Sequence, residues 1–146
     1  MSSEVNSTLR RLVAERAYHV CEYCLIHEDD TFWGCQVDHI ISRRHEGTSN
    51  EENLAHACFW CNNRKGTDVA AFVGKPSHPV RFFHPRNDQW GDHFAQDQVR
   101  IEHHSQVGEA TVKHLSLNEP ARLEERLALA DTGRYPTIEA LARIRE

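Results

Sequence analysis

The chain predicts an α+β fold stapled by a metal, on three observations. Two Cys-x-x-Cys pairs, Cys21-Glu22-Tyr23-Cys24 and Cys58-Phe59-Trp60-Cys61, stand 33 residues apart. Short apolar runs of strand length, around residues 35–41 and 54–57, lie between them. Apolar residues at helical spacing lie before the first pair and again in the last third of the chain. A thiolate pair two residues apart grips one tetrahedral ion from a tight turn, and two such turns close a four-sulfur zinc site. The interval exceeds the roughly 15–20 residues usual between such pairs. Doubling a loop costs only about 0.6 kcal/mol of closure entropy. A structural zinc contributes on the order of 10–16 kcal/mol. The longer insert is therefore tolerated, and something beyond a minimal ribbon must fill it. A redox dithiol would need only one pair, on a βαβ pattern not found here.

In order along the chain, residues 1–6 are polar and expected to lack fixed structure. Ser7 reads as an N-cap. Leu9, Leu12, Val13, Ala17 and Val20 then follow helical spacing up to the first cysteine pair. Residues 25–34 read as an acidic loop ending in Phe32-Trp33-Gly34. Cys35 to Ile41 reads as a strand, with Cys35 itself a small buried residue rather than a ligand. Residues 42–52 are polar and turn-rich, a surface loop. Leu54 to Ala57 suits a second strand, from which His56 is expected to point outward. A helix starting near the second pair carries Asn62 and Lys65 one turn apart. His27 reads as an ordinary surface histidine.

The C-terminal half offers fewer signals. Residues 80–83 and 99–103 read as strands, and residues 108–117 and 119–130 as helices through Val112, Leu115, Leu123, Leu127 and Leu129. Pro136 opens a last helix through Ile138, Leu141 and Ile144. Trp90 and Phe94 are assigned to packing, while His84 and Arg86 are left between packing and a substrate groove.

Composition narrows the function. At 146 residues the chain is expected to be one compact domain. No apolar run approaches a membrane span and no signal-peptide core opens the chain. Thiols read as metal ligands fit a reducing, cytoplasmic setting. A formal charge of −5 argues against indiscriminate DNA binding through a basic surface. Nucleic-acid contact must rest on local basic groups, which leaves room for a partner protein to supply affinity or specificity.

Asp38-His39-Ile40, Asn53-Leu54 and Cys58-x-x-Cys61-Asn62-x-x-Lys65-Gly66, framed by the first cysteine pair, resemble the HNH endonuclease family and its ββα-metal (His-Me finger) core. The resemblance spans roughly residues 9 to 70. Phe83-His84-Pro85-Arg86, Trp90, His93-Phe94 and Ala110-Thr111-Val112 are similar to a C-terminal extension in one bacterial branch of that family. The resemblance implies a core over residues 7–75 and an extension over 76–146 that packs on it.

It also implies roles. His39 would be the general base, its ordinary pKa near 6.5 leaving much of it neutral in the cell. Asn53 would hydrogen-bond and orient His39. Asp38 and Asn62 would hold a catalytic Mg²⁺ or Mn²⁺, since oxygen donors suit hard cations. Asn62 replaces the histidine often found at that position. Arg43, Arg44, Arg64 and Lys65 would contact phosphate, and DNA is the favoured substrate. The rival from another class is a zinc-dependent nucleic-acid-binding or adaptor module without catalysis; an intact Asp38, His39, Asn53 and Asn62 set speaks against it.

Overall fold

The computed structural model describes residues 5–145. Among them are six α-helices and three separate two-stranded antiparallel sheets. The helices are α1 (Ser7–Arg16), α2 (Phe59–Lys65), α3 (Trp90–His93), α4 (Gln106–His114), α5 (Pro120–Asp131) and α6 (Ile138–Ile144). The strands are β1 (Cys35–His39), β2 (Leu54–Cys58), β3 (Ala70–Val73), β4 (His78–Arg81), β5 (Phe94–Asp97) and β6 (Arg100–His103). No helix among the described residues is long and apolar enough to cross a membrane.

Helix α1 is capped one residue earlier than expected. The Asn6 side chain, not Ser7, accepts from the Leu9 amide, satisfying a donor that a helix start leaves unpaired. The rest of residues 1–6, apart from Val5, lies outside the described residues. Val13, Ala17 and Val20 face inward, whereas Leu12 stays exposed. Arg16 fastens the helix end to the second strand by donating to the Glu51 and Leu54 carbonyls at 2.5 and 2.6 Å.

Strands β1 and β2 pair in register from Cys35↔Cys58 to His39↔Leu54. With α2 following directly, they make the ββα unit. Side chains alternate across a strand, so Asp38 faces α2 while Val37 and His39 face the other way. His56, paired with Val37, is buried and not outward. Its Nε2 lies 2.8 Å from Glu28 Oε1, which compensates its burial. His27 is also buried: its Nδ1 accepts from the Asp29 amide and caps a short 3-10 turn.

The C-terminal half contains two hairpins that periodicity only half reveals, β3–β4 and β5–β6. Trp90 and Phe94 pack into the main core with Phe83, ring centroids 5.0 and 5.3 Å apart along the chain of contacts. The last helix begins at Ile138 behind a Thr137 cap rather than at Pro136.

The first cysteine pair is where the two halves of the chain meet. Glu22 is fully buried. One carboxylate oxygen accepts from Arg86 and from Arg143, and the other accepts from the His56 amide at 2.8 Å. The Tyr23 carbonyl accepts from Trp90 Nε1 at 3.1 Å, and the Cys24 carbonyl accepts from the Tyr135 hydroxyl at 2.8 Å. A buried carboxylate is tolerable only when its acceptor sites are filled by charged donors. Here the loop after β4 and helix α6 supply them. Arg86 is thus a packing group, and His84 Nδ1 accepts from the Arg86 and Asn87 amides as a local turn cap.

Candidate active site

Cys21, Cys24, Cys58 and Cys61 are all buried, and their sulfurs lie within 4.8 Å of one another. Cys24 and Cys58 sulfurs are 3.7 Å apart, close to the roughly 3.8 Å edge of a tetrahedron with 2.3 Å Zn–S bonds. Each pair adds an amide-to-sulfur contact across its own turn, Cys24 N to Cys21 Sγ and Cys61 N to Cys58 Sγ, both 3.5 Å. Cys58 Sγ is thereby also the N-cap of α2. The donor set fits zinc in a closed structural site. Cys35 stands outside the cluster, half-buried against the core, and burial pushes its thiol up.

Arg122, from α5, completes the surroundings of the sulfurs. Its Nη2 lies 3.3 Å from Cys24 Sγ and 3.6 Å from Cys58 Sγ, and its Nη1 lies 3.8 Å from Cys61 Sγ. Four thiolates around one dication leave net negative charge, and a buried guanidinium offsets part of it. Burial opposes ionisation of Cys24, but the other three thiols and Arg122 outweigh it, so that thiol is held well below its ordinary range. No sequence signal marks Arg122, because one arginine on an amphipathic helix normally reads as a solvated residue.

At the other end of β1, Asp38 is 3% exposed. Its Oδ2 accepts from the Tyr23 hydroxyl at 2.7 Å and its Oδ1 from Lys65 Nζ at 3.2 Å. Burial raises the Asp38 carboxyl above its ordinary range, against the lowering effect of Lys65 and Tyr23. Lys65 is 1% exposed and also donates to the His39 carbonyl at 2.9 Å. The expectation that Lys65 meets phosphate is therefore corrected. On the face of α2 that turns toward β1, its ammonium neutralises Asp38 and does not reach solvent.

His39 is half-buried, with Nε2 3.0 Å from Ser49 Oγ. Burial lowers its pKa below 6.5; Arg43 and Lys65 add to the lowering, and Asp38 opposes it. Asn53 does not orient the ring directly. Its Nδ2 donates to the Ile41 and Thr48 carbonyls at 2.9 and 2.7 Å, and its Oδ1 accepts from the Ile41 amide at 2.9 Å. These bonds close the 41–53 loop, and the loop presents Ser49 to His39. Gly47 is required there, since a Cβ at that position would lie 1.7 Å from the Ile41 carbonyl oxygen.

Asn62 sits on α2, half-buried, and donates to Gln36 Oε1 at 2.6 Å. Asp38 and Asn62 offer oxygen donors suited to a hard cation, and each Asp38 oxygen retains a lone pair. The access, however, is taken by Tyr23 and Lys65. Arg43 and Arg44 lie on an exposed 3-10 turn just past β1. Arg64 pairs with Glu119 at 2.6 Å and is only partly available.

Residues 21–68 match the HNH family model, described as HNH endonuclease. The match begins at the first cysteine and ends just past α2, so it takes in both cysteine pairs, β1, β2 and the loop between them. The matched segment, about a third of the chain, holds the four-cysteine cluster and the ββα unit. The comparisons with curated proteins and with solved structures gave no match.

Proposed function

We propose that the chain is a metal-dependent endonuclease that hydrolyses phosphodiester bonds, most readily in DNA, with His39 as general base. The observation that carries this reading is the setting of His39. The ring stands at the end of β1, its pKa held below the ordinary value, and a fixed loop offers it the Ser49 hydroxyl. A neutral imidazole held in one orientation can take a proton from water that attacks phosphorus.

Asp38 and Asn62 would hold a divalent ion, Mg²⁺ or Mn²⁺, which when bound offsets charge on the phosphorus centre and the leaving oxygen. Binding there requires Lys65 to share or yield its place at Asp38 Oδ1. Lys65 favours the ionised form of Asp38 against the effect of burial, and its bond to the His39 carbonyl fixes the backbone that carries the base. Arg43 and Arg44, exposed beside His39, would position the phosphate. Asn53 acts as a positioning residue through the loop. A partner protein and a cytoplasmic setting remain part of this reading, carried by the low basic charge and the reduced thiols.

The rate of supercoiled-plasmid relaxation in Mg²⁺ or Mn²⁺, followed against pH, tests it. The active form is neutral His39, so the rate should fall only as pH drops through a midpoint below 6.5. No relaxation with either ion at any pH, with DNA still bound, would favour the non-catalytic binding module.

A further inference from the structure

Phe32 and Trp33 are 85% and 60% exposed, an unusual placement for two large aromatic side chains side by side. They do not stand alone. Phe32 meets Trp33 edge to face with centroids 4.6 Å apart, Trp33 meets Phe59 at 5.7 Å, and Phe59 meets Trp60 at 5.3 Å. Four rings thus form one continuous surface where β1 begins and α2 starts. Trp60 extends it into a cleft of about 450 Å³ that Arg64 also lines. Nothing in the core requires these rings to be outside, and contiguous exposed apolar surface marks binding.

Two observations say what binds. From this patch β1 runs roughly 13 Å to His39, at about 3.3 Å per residue. Alongside β1 lies a cleft of about 270 Å³ lined by Arg10, Arg11, Gln36 and Val37. Arg10 and Arg11 are exposed. Among the acidic groups near the patch, Asp30 pairs with Arg134 and Glu119 with Arg64, Glu28 accepts a hydrogen bond from His56, and Asp29 stays exposed. Rings at one end, two guanidiniums along the way and the base at the other end suit an extended polyanion with planar side groups.

We propose that Phe32, Trp33, Phe59 and Trp60 form a stacking platform for the unpaired bases of single-stranded nucleic acid. Its backbone follows β1 past Arg10 and Arg11 toward His39. The inference rests on the nuclease reading and refines its substrate class to nucleic acid with a single-stranded segment. It also explains how a chain of net charge −5 gains affinity without a basic surface. Stacking is indifferent to net charge and tolerant of sequence.

Fluorescence anisotropy with a fluorescein-labelled oligo-dT and with a blunt duplex, on His39→Ala protein, measures the effect. Phe32→Ala with Trp33→Ala should raise the oligo-dT Kd about tenfold or more, about 1.4 kcal/mol, and change the duplex Kd less than about twofold. Arg10→Ala should lower the salt slope on oligo-dT by about 0.7. Equal losses on both probes, or no loss on oligo-dT, would overturn the proposal. So would a sedimentation shift from dimer to monomer in the aromatic variant, which would make the patch a contact with a second copy. Plasmid relaxation separates this from the parent reading. A Trp33→Ala protein that relaxes plasmid normally and binds oligo-dT normally sinks the platform alone. Trp33-dependent oligo-dT binding in a wild-type protein that cleaves nothing sinks the nuclease reading and keeps the platform.

Discussion

The two cysteine pairs close one four-sulfur cluster yet do opposite work with the residues between the cysteines. In the first, Glu22 and Tyr23 are buried and bonded to five distant segments, at Asp38, His56, Arg86, Trp90 and Arg143. In the second, Phe59 is half-buried and Trp60 is 37% exposed, and both join a surface aromatic run. A metal turn fixes only its sulfurs, so the intervening side chains are released for other uses. The first turn became the hub that ties the C-terminal half to the ββα unit. The second opens onto solvent beside the proposed substrate path.

Removing the shared element should abolish the contrast and gives the largest effect. Cys58→Ser is expected to lose zinc and the cooperative fold together, because structural zinc supplies on the order of 10–16 kcal/mol. Elemental analysis with a thermal melt checks it; a metal-free protein that still unfolds cooperatively would contradict the staple. Next comes the hub. Glu22→Gln leaves Arg86 and Arg143 without their buried counter-charge and should cost about 3–5 kcal/mol in urea unfolding, with zinc retained. A change below about 1 kcal/mol would show that the two arginines find other partners.

Much of this was readable beforehand, and the reasons differ by element. Ligand spacing is local, so Cys21, Cys24, Cys58 and Cys61 were visible without a structure. Strands β1 and β2 and helix α2 were visible through alternation and the residues fixed to the cysteine turns. The role of Glu22 was not, because its partners lie 64 and 121 residues away and a glutamate in a turn reads as solvated. Lys65 misled for a related reason: its one-turn spacing from Asn62 places both on α2, but not which of them points into the hairpin. Arg122 and the buried His56 were hidden in the same way, each satisfied by a group far off in sequence. Hairpins β3–β4 and β5–β6 were half-read because four-residue strands carry too little periodicity.

Two smaller effects sharpen the comparison. Tyr23→Phe removes one donor to the buried Asp38 carboxylate and should cost about 1–3 kcal/mol by urea denaturation. A cost near zero would mean that Lys65 alone satisfies Asp38. Trp60→Ala, at the matching place in the second turn, should change stability by no more than about 0.5 kcal/mol. A loss comparable to that of Tyr23→Phe would erase the distinction between the two turns.

The functional claim rests on His39 lying at the end of a frame that does not depend on it. Substituting His39→Ala and measuring plasmid relaxation in Mn²⁺, with zinc content and the urea midpoint taken on the same preparation, puts that claim to the test. Relaxation should be lost while zinc and stability stay at wild-type values. Relaxation at the wild-type rate in a protein lacking the imidazole would show that another group takes the proton and that His39 is not the base.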